Sequence, residues 1–211
     1  MSDPPKLVVA TRNLGKTREF ARLLGDRFRV EMVPEDVELP RETRRTFEDN
    51  ARVKAEAVFA ALDGRVAVLA DDSGLEVAAL DGRPGVLSAR YAGERASDAD
   101  NVAKLLRELR GRKDREARFV CALCLALKSE WPGGRLPGHL VEVRGIVEGT
   151  ITEAPRGSAG FGYDPVFQPR GAGETLAEAS PTSKDLASHR GAAVRALLFR
   201  LGEEGWANLG S

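Results

Sequence analysis

Cysteine is scarce: the 211 residues hold only Cys121 and Cys124. Their C-x-x-C spacing invites a redox or zinc reading. No second cysteine pair exists to complete a zinc site. Arg118 to Leu127 reads as a buried strand, in which positions three apart face opposite sides. Both thiols are therefore read as small core hydrophobes. Net charge is absent too, with 32 Lys+Arg against 32 Asp+Glu. A chain without a global basic field is not expected to partner a nucleic-acid polymer. No apolar run is long enough to span a bilayer, and Met-Ser-Asp-Pro-Pro-Lys lacks the apolar core of a signal peptide. The expectation is a cytoplasmic protein without membrane contact. Internal repeats, linkers and low-complexity stretches are also missing. The length suits one large domain or two small lobes around a real core.

What is present is concentrated chemistry. The apolar run Val66 to Leu69 leads into Ala70-Asp71-Asp72-Ser73-Gly74-Leu75. It reads as a buried strand that stops at the glycine, with two carboxylates and a hydroxyl at its end. In open α/β sheets ligands bind outside the carboxyl ends of strands. Mg²⁺ takes one or two carboxylates together with substrate phosphates. Side chains alternate along a strand, so Asp71 and Asp72 are expected to face opposite sides. A simple strand cap or helix N-cap is the alternative.

Lys6 to Ala10 reads as a strand, Thr11 to Lys16 as a polar turn, and Lys16 to Leu24 as a helix ended by Gly25. A helix N-terminus after such a turn offers N–H groups and a positive dipole end to phosphate. An ordinary β–α turn would explain the Asn and Gly, though not the charge of Lys16. Ala10-x-x-x-x-Gly15-Lys16-Thr17 also nearly fits a P-loop, with Ala in place of the first Gly. Phe28 to Val33 is a second strand, and residues 37–43 form an irregular loop. Thr46-x-x-Asp49 is a capping box for a helix with an Ala51, Ala55, Val58, Leu62 stripe that Gly64 stops. Asn50 and Lys54 lie one turn apart on a neighbouring stripe, where a solvated lysine is the ordinary expectation. Ser97-x-x-Asp100 caps another helix, with Val102, Leu105, Leu106 and Leu109 on its apolar face. Glu116 to Leu127 and Leu140 to Val147 read as strands, with a Gly/Pro-rich surface loop at 131–138. Phe161, Tyr163 and Asp164 between glycines suit gripping a flat ligand, or a packed turn. A last helix begins near Ser188, with Val194, Leu197, Leu198 and Leu201 as its stripe. His189 and Arg190 sit in its first turn, where cations oppose the dipole, a cost that function would explain.

Together these stretches resemble the inosine triphosphate pyrophosphatase family. The matching motifs are Ala10 to Lys16, Thr46-Phe47-Glu48-Asp49-Asn50-Ala51, Ala70 to Leu75, Pro84 to Gly93, Gly160-Phe161-Gly162-Tyr163-Asp164-Pro165 and Ser188-His189-Arg190-Gly191. They are collinear and span about residues 7 to 200. Arg12 stands where the family commonly has a small or polar residue, and the stretch 178–185 is looser but keeps Lys184. The resemblance implies a single α/β domain over residues 1–211. It would have a long mixed central sheet flanked by helices, in two lobes with the active-site cleft between them. It further implies a homodimer and hydrolysis of ITP, dITP and XTP to monophosphate and pyrophosphate, with Mg²⁺. The loop Thr11, Arg12, Asn13, Leu14, Gly15 and Lys16 would bind substrate. Within it Thr11, Asn13 and Lys16, with Lys54 and Lys184, would hold the triphosphate. Asp72 would be the proton acceptor and, with Glu42 chosen over Glu38, a metal ligand. Ser73 would contact substrate. Phe161, Gly162, Tyr163 and Asp164, with His189 and Arg190, would hold the purine.

Overall fold

The structure, a computed structural model, describes residues 3–128 and 139–203. The Gly/Pro-rich stretch 131–138 lies outside the described residues. In chain order the elements are β1 (Lys6–Val9), α1 (Leu14–Leu24), β2 (Arg29–Met32), α2 (Phe47–Ala61), β3 (Ala67–Val77) and α3 (Asp98–Glu108). Then come β4 (Glu116–Leu127), β5 (His139–Ile151), β6 (Phe167–Pro169), α4 (Pro181–Ala187) and α5 (His189–Glu203). The strands form one sheet in the order β2-β1-β3-β4-β5-β6. β1 runs parallel to β2 and β3, while β6 runs antiparallel to β5, so the expected mixed α/β sheet is present. Among the described residues no helix is long and apolar enough to cross a membrane.

The chain divides into two compact units. The first comprises Met1–Asp72, Ala122–Gly145 and Ala193–Ser211; the second comprises Ser73–Cys121 and Ile146–Ala192. In the first unit Val8 lies opposite both Glu31 and Val68, and Leu7, Val8, Val9, Val68 and Leu69 are buried. Asn13 caps α1 by accepting the Lys16 N–H at 3.0 Å, so the helix starts at Leu14 rather than at Lys16. Phe20 and Leu24 bury its inner face, and Gly25 ends it at φ +56°. Thr46 caps α2 as the sequence predicts, accepting the Asp49 N–H at 3.1 Å. Arg12 donates to the carbonyls of Val33, Glu35 and Val37 and so ties down the chain after β2.

The second unit packs Leu75, Val77, Leu105, Leu109, Phe119, Ile151, Tyr163 and Phe167, among others, into one apolar cluster. The Ser97–Asp100 capping box opens α3 as expected. β3 does not stop at Gly74 but runs on to Val77. The reason lies on both sides of the glycine. Leu75 and Val77 continue the apolar alternation into the cluster, and the Leu75 N–H donates to Ser88 Oγ at 2.9 Å. Ser88 in turn donates to the Gly85 carbonyl at 2.6 Å and accepts from Tyr163 on its own carbonyl at 2.9 Å. The segment Pro84 to Gly93 is thus a brace. Asn101 and Lys104 on α3 hold its far end through the backbone of Ala89, Tyr91 and Ala92. Both cysteines are buried in β4, and burial, then the charge of Glu142, pushes the Cys124 thiol up to about 12.

Ser88→Ala would leave the buried Leu75 N–H unpartnered, at a cost of about 1–3 kcal/mol. Urea unfolding is expected to show a lower midpoint with an unchanged slope. A midpoint equal to the parent's would mean that another acceptor replaces Ser88.

Candidate active site

Two sets of functional groups emerge, one in each unit. In the first, β3 carries Asp71 and Asp72 in mid-strand, with relative exposures of 0% and 4%. Carboxylates so deeply placed need compensating donors. Each finds them on a different helix. Lys16, in the first turn of α1, donates to Asp71 Oδ2 at 2.8 Å. Asn50, in α2, donates to Asp72 Oδ2 at 2.8 Å. Lys54, one helical turn beyond Asn50, donates to the Asp71 carbonyl and to Glu42 Oε1. The ordinary expectation of a solvated Lys54 fails, because its residue exposure is only 5%. Burial opposes the ammonium charge, but Asp71, Glu42 and Asp72 outweigh it and hold the Lys54 pKa above that of an ordinary lysine. Burial likewise pushes Asp72 up, and the Glu42 charge adds to this. Lys54, the Asn50 hydrogen bond and Lys16 pull it back, leaving Asp72 at about 6.

The loop ahead of α1 completes this set. Thr11 Oγ1 accepts the Asn13 N–H at 3.1 Å, and Asn13 Oδ1 closes the turn on Lys16. Leu14 is exposed and Gly15 half-buried. Glu38 is exposed, whereas Glu42 is half-buried against Lys54 and close enough to disfavour the Asp72 charge. Among the described residues no three His, Cys, Asp or Glu side chains cluster as a metal cage. Glu42 and Asp72 are instead a two-carboxylate donor set of the kind Mg²⁺ completes with water and phosphate oxygens. Their mutual repulsion is a charge imbalance that a divalent cation would relieve.

The second unit gathers Ser73, Phe161 to Asp164, Lys184, His189 and Arg190. Ser188 caps α5 by accepting the Gly191 N–H at 3.0 Å, which fixes the first turn. From that turn the Arg190 guanidinium donates to Ser73 Oγ at 2.8 Å and lies 4.9 Å from the Phe161 ring centroid. His189 stacks on Phe119, with centroids 4.5 Å apart and an 8° interplanar angle. These contacts are structural gains that offset the unfavourable dipole position. Lys184 lies in this second unit as well. It donates to Asp164 Oδ2 at 2.8 Å and sits 4.9 Å from the Phe161 centroid. Asp164 accepts the Phe161 N–H at 2.9 Å, so one carboxylate holds both the turn and the lysine. At Gly160, φ +78°, an added Cβ would collide with that carboxylate, which is why the turn needs glycine. Asp98 accepts the Gly162 N–H at 2.7 Å. Asn50, Phe119 and Asp98 are contributors that sequence reasoning assigned no role. Only Asn50 left a signal, its one-turn spacing from Lys54.

A family model described as the Ham1 family matches residues 7–199. The chain is 49% identical over 195 residues to the dITP/XTP pyrophosphatase of Exiguobacterium sp. (strain ATCC BAA-1283 / AT1b), covering 91% of this chain and 94% of that protein. It is also 49% identical to the dITP/XTP pyrophosphatase of Geobacillus kaustophilus (strain HTA426), covering 91% and 92%. Among solved structures, a HAM1 protein from Coxiella burnetii superimposes with TM-score 0.80 at 38% identity, covering 94% of this chain and 99% of that one. The Staphylococcus aureus Ham1 protein gives 0.79 at 40% identity with the same coverage.

The raised Asp72 carboxyl has a consequence for stability. Its folded value of about 6 lies above its ordinary value of 3.8, so the folded chain binds this proton more tightly than the unfolded chain. Ionising Asp72 therefore costs stability progressively as pH rises from about 4 to about 6, and the full cost persists above that. In metal-free protein, Asp72→Asn is expected to raise stability at pH 8 by roughly 1–3 kcal/mol, with the gain vanishing near pH 4. Thermal melts in EDTA across this range check it. A gain that does not depend on pH would place its origin elsewhere.

Proposed function

The chain belongs to the Ham1 family, and on that premise we propose that it is a nucleoside-triphosphate pyrophosphatase acting on ITP, dITP and XTP. It releases the monophosphate and pyrophosphate and so clears non-standard purines from the nucleotide pool. The observation that carries the reading is the Asp71–Asp72 pair in mid-strand, ringed by Lys16, Lys54, Glu42 and Asn50. A triphosphate needs several cations and N–H donors, and Lys16, Lys54 and the N-terminus of α1 after Thr11 and Asn13 supply them. Glu42 and Asp72 are the residues that would hold Mg²⁺. When bound, the ion neutralises charge that develops on the phosphate oxygens. Asp72 is the proton acceptor for the attacking water, a role of order 10²–10⁴-fold in rate. A carboxyl tuned to about 6 is ionised at neutral pH yet basic enough to take that proton.

The second unit's groups take the base. Arg190 can only donate, and His189 donates through a ring nitrogen, so both match the C6 oxygen of hypoxanthine and xanthine. Adenine carries an amino group there and would leave those buried donors unmatched. Phe161, stiffened by Lys184 and Arg190, offers an aromatic face, and the Asp164-held turn fixes where that face sits. Arg12 holds the loop through three carbonyls, those of Val33, Glu35 and Val37. The P-loop alternative falls with the family assignment. The reading carries with it a single functional domain, a homodimer and a cytoplasmic setting, the setting in which the nucleotide pool is kept.

Incubation with a panel of nucleoside triphosphates and Mg²⁺ tests the reading. Pyrophosphate and monophosphate from ITP and XTP, well ahead of ATP, are expected. Orthophosphate and a nucleoside diphosphate as primary products would overturn it, because they mark γ-phosphoryl transfer.

A further inference from the structure

Asn50 stands apart from the groups that contact substrate in this reading. It is a neutral amide with 2% exposure, placed on α2 one turn before Lys54. Its amide orientation is fixed by what surrounds it. The Arg44 backbone N–H lies 2.9 Å from Oδ1, and an N–H can only donate, so the amide oxygen faces Arg44. The NH₂ end then faces Asp72, donating to Oδ2 at 2.8 Å. Asn50 and Lys54 together make a cross-brace. Asn50 grips the Asp72 side chain and the Arg44 backbone; Lys54 grips the Glu42 side chain and the Asp71 backbone. Each ties β3 to the 42–44 loop. Lys54 brings charge to the brace, whereas Asn50 brings none and supplies only geometry.

We propose that Asn50 is the positioning residue of the two-carboxylate metal site, a planar bracket that sets the loop bearing Glu42 against the strand bearing Asp72 and orients the Asp72 carboxylate. This rests on the reading of Glu42 and Asp72 as the Mg²⁺ pair. The two carboxylates repel, and a flexible loop would let Glu42 retreat from Asp72. The bracket opposes that by tying the backbone two residues beyond Glu42 to the same carboxylate that Glu42 repels. By holding Oδ2 it also restricts rotation of the Asp72 carboxylate. Partners that orient metal ligands in this way are worth 10–100-fold in affinity or activity when removed.

Two substitutions separate the bracket from a merely structural amide. Asn50→Asp keeps an acceptor for the Arg44 N–H but replaces the donor to Asp72 with an acceptor. Asn50→Leu removes these bonds while keeping the same branched skeleton of four side-chain heavy atoms. Both are expected to lower kcat for ITP by about 10–100-fold while the nucleotide KM stays near that of the parent. Separately, Mn²⁺ titration of the nucleotide-free protein, followed by electron paramagnetic resonance, should show Asn50→Leu binding about 10–100-fold more weakly. Asn50→Asp with a parental kcat would overturn the proposal, reducing Asn50 to a loop anchor. So would Asn50→Leu binding Mn²⁺ as the parent does. A parent that binds Mn²⁺ but releases no pyrophosphate would instead contradict the pyrophosphatase reading, and the Mn²⁺ comparison would still decide the role of Asn50.

Discussion

The Lys54 ammonium is the charge on which the first unit's chemistry depends. Two adjacent aspartates in the middle of a buried strand would each carry a desolvation cost of several kcal/mol. Lys16 meets one of them from the first turn of α1. Lys54 meets the rest of the problem from 17 residues before Asp71, through the Asp71 carbonyl and Glu42. The cation is itself buried, and it stays charged because three acids surround it. Removing the cation would strand the carboxylates around it. The arrangement is not neutral overall, for Asp72 remains raised to about 6. Burial first and the Glu42 charge second raise it, and both favour a proton on Asp72.

The boundary between the two units falls in the chain inside one motif, between Asp72 and Ser73. The first unit holds the groups suited to phosphate, metal and water. The second holds aromatic, cationic and turn-forming groups suited to a purine, tied together by Asp164, Lys184, Phe161 and Arg190. Resemblance had grouped Lys184 with the phosphate-binding lysines. In the structure Lys184 pairs with Asp164, whose carboxylate also holds the turn that presents Phe161.

Much of this was legible in the sequence because its signals were local. The capping boxes at Thr46 and Ser97 mark true helix starts, and the long apolar run of β4 gives its bounds residue for residue. The cysteines lie in the core, as alternation along a strand required. What was misread depended on partners far along the chain. Phe47, Asn50, Ala51, Lys54, Ala55 and Val58 form one continuous buried helical stripe, yet its two polar members broke the apolar pattern and looked like a solvated edge. Nothing near Lys54 announces Asp71. Gly74 looked like the end of β3 because the Ser88 hydroxyl that satisfies Leu75 comes from 13 residues beyond it. β6 and α4, at three and seven residues, are too short to carry a period.

The central claim is that Lys54 is held by charge and not by packing. Lys54→Met keeps the side-chain stem and removes the ammonium, and equilibrium unfolding of metal-free protein at two pH values reads the difference. The account predicts a loss of about 3–5 kcal/mol at pH 8, where the stranded carboxylates are ionised. It predicts a smaller loss near pH 4, where Asp72, held at about 6 in the folded chain, is protonated. An equal loss at both pH values, or no loss at either, would contradict it.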